Sequence, residues 1–155
     1  MDVETGVPTL GRANSGFVDL RQPRVEHGDK DYKGPGTRIW LAWKYDEVDV
    51  EILTVHTQMI YCLVFILQFH TTALVSVVYG ANDLGEQRDL WQSLTQLADS
   101  IDEDPWLVMG DFNTVVDLSE VSSASGDIRV AMEEFQECIT ATSLITLPMQ
   151  GQLFT

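Results

Sequence analysis

The sequence predicts an α/β domain over residues 37–155, built mainly on antiparallel strands with flanking helices. Three observations carry this. Residues 48–79 hold three apolar stretches joined by short connections, which reads as an antiparallel meander because parallel neighbours need a long crossover. Leu84, Trp91, Leu94, Leu97, Ala98 and Ile101 fall at the three-and-four spacing of an amphipathic helix. Trp106-Leu107-Val108-Met109 is a continuous apolar run, the pattern of a strand buried on both faces.

In chain order, residues 1–36 carry no apolar period beyond a few positions and read as a poorly specified tail. Phe17-Val18-Asp19-Leu20 is a candidate short strand within it, and Gly34-Pro35-Gly36 a loop or linker. Arg38 to Trp43 reads as the first strand of the domain. Val48 to Val55 alternates, with Val48, Val50, Ile52 and Thr54 on one side and Asp49, Glu51 and Leu53 on the other, as a half-buried strand does. Met59 to Phe69 and Leu74 to Tyr79 are the next two strands, with His70-Thr71-Thr72 as the turn between them. A helix from Leu84 to Ile101 follows, capped by Asn82 or Asp83. Asp102-Glu103-Asp104 is an acidic, solvated turn, and Pro105 suits the start of the next strand. Beyond Asn113 a Ser-rich segment runs to Gly126. Asp127 to Thr142 reads as a second helix with Ile128, Ala131, Phe135, Cys138 and Ile139 on one face, and Leu144 to Leu147 as a short strand.

The length suits one domain with a real core. Apolar residues at 45% and charged residues at 21% mark an ordinary globular chain rather than a disordered one. Cys62 and Cys138 both sit in apolar segments; one disulfide is conceivable, and two buried thiols are the simpler reading, which favours a reducing, intracellular compartment, nuclear or cytoplasmic. The first residues are polar and acidic and predict no secretory signal. The run Met59 to Phe69 is too short to span a bilayer and contains Gln68, so no membrane segment is predicted. The formal net charge of −15 divides unevenly: residues 1–36 hold six acids and five bases, residues 37–155 eighteen acids and four bases. Such a domain repels a polyanion, and nucleic-acid binding normally shows a basic face. A phosphate-ester substrate would need metal ions, or a basic segment missing from these residues, to supply the positive field.

The stretch Pro105 to Asn113 holds the chemistry. A buried strand that ends in Gly110-Asp111-Phe112-Asn113 delivers a carboxylate and a carboxamide at the rim of a sheet. On extended backbone Asp111 and Asn113 point the same way, and Phe112 points back to anchor the tip in the core. The alternative is a strand-end turn whose side chains only satisfy local N–H groups. His27, His56 and His70 read as tail, strand or turn residues, Asp117 and Glu120 as a solvated loop, and Trp91 with its helix leucines as core.

The order Tyr79-Gly80-Ala81-Asn82, Arg88 with Leu90-Trp91, then Pro105 to Asn113 resembles the exonuclease–endonuclease–phosphatase superfamily. Within it the chain is most similar to the apurinic-type endonuclease domain of plant non-LTR (LINE) retrotransposons, also at Arg38 to Trp43 and from Phe135 through Leu147-Pro148 to Gly151-Gln152-Leu153-Phe154-Thr155. The resemblance covers residues 37–155. It implies a four-layer α-β-β-α sandwich of the deoxyribonuclease-I type. It also implies hydrolysis of a DNA phosphodiester with Mg²⁺ (or Mn²⁺), and no nucleotide cofactor. In the family pattern Asp111 polarises the water beside the metal, Asn113 meets phosphate or metal, Tyr79 gives a phenol hydrogen bond to phosphate, and Asn82 helps arrange the substrate-binding loop.

Two family features are missing from their expected places. The strand ending in a metal-binding Glu is not evident in residues 1–36, where only Met1-Asp2-Val3-Glu4-Thr5 is distantly similar, making Glu4 the candidate ligand. The Asp-His pair of the family's last segment has no counterpart before Thr155. The expectation is a domain truncated at both ends with impaired hydrolysis; the alternative is a non-catalytic remnant or interaction module.

Overall fold

The computed structural model describes residues 30–120 and 126–147. It is an α/β arrangement of one mixed sheet, one small antiparallel sheet and two helices. Glu4, His27 and the Phe17 to Leu20 segment lie outside the described residues, as does the stretch after Leu147.

The small sheet pairs β1 (Lys30–Lys33) with β2 (Trp40–Trp43). β1 falls inside residues 1–36, read as a poorly specified tail; its four residues lack an apolar period and gain their strand from the neighbour rather than from propensity. The main sheet runs β3 (Val48–His56), β4 (Met59–Ile66), β5 (Thr71–Tyr79) and, at its edge, β6 (Trp106–Asp111). The first three form the antiparallel meander that the short connections predicted. β6 pairs with β5 in parallel, Leu74 opposite Trp106 and Tyr79 opposite Asp111. That pairing needs a crossover, and α1 (Leu84–Ser100) supplies it. Asp83, not Asn82, caps α1, its carboxylate accepting from the Glu86 N–H at 3.1 Å. After a 3₁₀ turn at Leu118–Glu120 comes α2 (Gly126–Ala141).

Details of register differ from the sequence reading. The turn between β4 and β5 is Leu67 to His70, not His70 to Thr72, and His70 takes a positive φ of 48° there. β3 carries a bulge between Ile52 and Thr54. The extra residue reverses the phase beyond it, so Val55 opposite Ile60 continues the side begun by Val48, Val50 and Ile52, and Thr54 turns to the other face. Leu144 to Leu147 is not a strand; Ile145 and Leu147 are exposed, and among the described residues no strand pairs with them.

The core lies between one face of the main sheet and the two helices. Met59 and Val78 meet Leu90, Trp91 and Leu94 of α1 and Phe135 and Cys138 of α2, with Trp106, Val108 and Phe112 packed against them. Ser76, fully buried on that face, is satisfied by the Trp106 indole N–H at 3.0 Å. Arg88 forks onto Glu134 with bonds of 2.6 and 3.0 Å and ties the helices at their rim. The opposite face is covered only in part. Gly34, before β2, comes so close to Val55 and Ile60 that a Cβ there would lie 3.0 and 3.2 Å from their side chains, and Ile60 is fully buried. Beside β6 that face is open: Leu107 is 37% and Met109 50% exposed. The expectation that β6 is buried on both faces is thereby corrected; its continuous apolar run has a helix-covered side and a bare one.

Both cysteines are buried free thiols. Burial pushes each up from 9.0 to about 11, with the Thr95 hydroxyl easing Cys138 slightly. No helix among the described residues is long and apolar enough to cross a membrane.

Leu94→Ala should cost ~2–5 kcal/mol in urea unfolding, whereas Leu107→Ala should cost under about 1 kcal/mol, because only the first removes core atoms. The native thiols hold their protons more tightly than unfolded ones. Their contribution is therefore complete below pH 9.0 and is lost as pH rises to about 11. A Cys62→Ala/Cys138→Ala variant should show a shallower fall of its urea midpoint across that window.

Candidate active site

Parallel pairing brings the C-terminal ends of β5 and β6 to the same rim of the sheet. Tyr79 and Asp111 are register partners there, so their side chains leave the sheet on one face, the one turned away from the helices, about 5 Å apart along the strand-to-strand direction. Both are exposed, Tyr79 by 38%.

The loops that follow are locked together. The Gly80 N–H donates to the Asp111 carbonyl at 2.7 Å, and the Asn113 side-chain amide donates to the Gly80 carbonyl at 2.6 Å. A Cβ on Gly80 would collide with the Phe112 carbonyl, so only glycine lets the loops approach this closely. Gly110 lies within the strand, which runs on to Asp111. It pairs with Val78 inside β6 at φ 134°, where a Cβ would strike the Val78 carbonyl. Phe112 anchors the tip as expected, its ring 5.0 Å from Phe135 and 6.4 Å from Trp91.

Extended backbone does not continue to Asn113, and the side-by-side presentation of Asp111 and Asn113 is corrected. Asn113 has φ 50°, a left-handed conformation that Asn tolerates better than most residues. Its N–H turns back to Asp111 Oδ1 at 3.0 Å, an Asx turn. The local-turn alternative therefore describes part of what these side chains do: one carboxylate oxygen and one amide hydrogen hold the loop. The other Asp111 oxygen has no partner among the described residues. Asn82 is exposed and has no hydrogen bond among them. Asp117 sits in its own turn with Ser119, whose hydroxyl and, at 2.7 Å, whose N–H hold its carboxyl below the usual range.

Mg²⁺ takes oxygen ligands, keeps several waters and needs only one or two carboxylates. Asp111 supplies one such carboxylate at the rim. Among the described residues no group of three or more His, Cys, Asp or Glu could hold a metal ion. A Mg²⁺ held at this rim would rest on one carboxylate and keep most of its waters.

Sequence reasoning missed two buried glutamines behind the rim. Gln58, in the β3–β4 turn, accepts from the Ala81 N–H at 2.6 Å and donates to the Glu86 carbonyl at 2.7 Å. Gln87 of α1 is 2% exposed. The available signal was its position: Leu84, Gln87, Trp91 and Leu94 form one helical stripe, and Gln87 is its one polar member.

No protein-family model matches the chain, and no curated protein matches it.

Gly80→Ala should force the two loops apart and cost ~1–3 kcal/mol in thermal or urea unfolding, because the colliding atom is backbone and cannot rotate away.

Proposed function

We propose that the chain carries the strand tips of a metal-dependent phosphodiesterase of the endonuclease type, acting on DNA, in the lineage of the plant LINE retrotransposon endonucleases. One observation supports this above the rest: Tyr79 and Asp111 stand as register partners, exposed, at the C-terminal ends of adjacent parallel strands. Asp111, with one carboxylate oxygen fixed by the Asn113 N–H, has the other oxygen for a proton of the attacking water or for a cation. The Tyr79 hydroxyl is a donor for a phosphoryl oxygen as charge builds there. Asn113 and Asn82 are proposed on the phosphate side, Asn113 after its loop-holding bond is made. Mg²⁺ or Mn²⁺, when bound, would supply the positive field that a chain of net charge −15 does not offer a polyanion.

A second reading, a non-catalytic remnant or interaction module, is favoured by one observation: among the described residues no group of three or more His, Cys, Asp or Glu could hold a metal ion.

The two separate on supercoiled plasmid. Under the first, the purified chain nicks it with Mg²⁺ or Mn²⁺, Asp111→Ala lowers the rate ~10²–10⁴-fold and Tyr79→Phe lowers it ~10–10²-fold. No nicking by the wild-type chain in either metal, at any concentration, selects the second.

A further inference from the structure

We infer that Gln87 is the positioning residue that couples the two rim loops, so that the tips of β5 and β6 keep their geometry or lose it together. Its bearing on phosphate chemistry rests on the proposed function, while the coupling itself does not.

Gln87 projects from the second turn of α1 and is 2% exposed. Its side-chain nitrogen donates to the Ala81 carbonyl at 2.8 Å and to the Asn113 carbonyl at 3.1 Å. Ala81 lies two residues beyond Tyr79, and Asn113 two beyond Asp111. A carboxamide carries two N–H hydrogens, one for each loop. Two carbonyls also fix which end of the amide is nitrogen, since the reversed amide would set oxygen against oxygen. That orientation leaves Gln87 Oε1 buried without a partner. A buried acceptor left unmatched is costly, so the two donor bonds on the other side must outweigh it.

Ala81 is gripped at both backbone groups, its N–H by Gln58 and its carbonyl by Gln87. Gln58 also accepts the Tyr79 N–H on its own carbonyl at 2.9 Å. The loop after β5 is therefore fixed from the β3–β4 turn and from α1. The loop after β6 gains its link to α1 through Gln87. Direct loop-to-loop bonds join Gly80 to Asp111 and Asn113, and Phe112 packs on Trp91; Gln87 is the α1 side chain that hydrogen-bonds both loops at once. Gln87 refers both loops to one helix position, and with them the separation of the Tyr79 and Asp111 side chains.

Backbone hydrogen exchange on the full chain, read residue by residue by NMR, tests this. The variant is Gln87→Met, of similar length and without donors. The Gly80, Ala81 and Asn113 amides should exchange about tenfold faster or more, by a similar factor at both loops, while the Ile60 and Val77 amides of the β4–β5 ladder stay unchanged. Should Gln87→Met fail to fold, Gln87→Asn, one methylene too short to span both carbonyls, is expected to give the same pattern. Acceleration at one loop only, at every amide alike, or at none, overturns the coupling. The exchange pattern decides the inference whether or not the chain cuts DNA, so it and the phosphodiesterase reading can fail separately.

Discussion

The parallel pairing of β5 with β6 is the constraint on which the rest of the structure depends. Two neighbouring strands that run the same way cannot be joined by a tight turn, so 17 residues of α1 must carry the chain back across the sheet. The helix that results covers Met59 and Val78 and brings Leu90, Trp91 and Leu94 to the core. The same pairing sets Tyr79 beside Asp111, which no local feature of either segment could do. Gly110 is what the pairing demands in return: a φ of 134° and a Cβ-free approach to the Val78 carbonyl allow β6 to stay in register to its last residue.

What was legible in the sequence follows from which interactions are local. The meander could be read because apolar stretches, turn residues and short connections coincide within 32 residues, 48–79. Both helices could be read from their stripes, and Asp83 was one of two caps named. Phe112 was legible as an anchor because its neighbours on either side are polar. The failures have tertiary causes. β1 exists because β2 lies next to it, the bare side of β6 depends on what covers the sheet, and the bulge in β3 is invisible to a two-residue period. At the rim, the extended-backbone rule failed at Asn113 because the chain had already left the strand, and the grip of Gln58 and Gln87 spans 23 and 26 residues to its partners at Ala81 and Asn113.

The rim divides its polar groups between holding itself and facing outward. Asp111 uses one oxygen on the Asn113 N–H and turns the other to solvent; Asn113 uses its amide on Gly80. The surrounding electrostatics are set by an excess of acids, and the basic side chains are partly committed: Lys30 to Asp49, Lys44 to Glu47 and Arg88 to Glu134. Any anion that approaches must bring its counter-charge with it or find one already seated.

The bulge in β3 has a bearing on how this chain is set against others. Nine residues face eight in β4, and the surplus is absorbed at Leu53. Comparison with an unbulged strand is correct up to Ile52 and inverted thereafter unless a one-residue gap is opened at that point. Without the gap, Val55, which meets Gly34 and Ile60, would be equated with a side chain on the opposite face, and an inward substitution would be mistaken for an outward one.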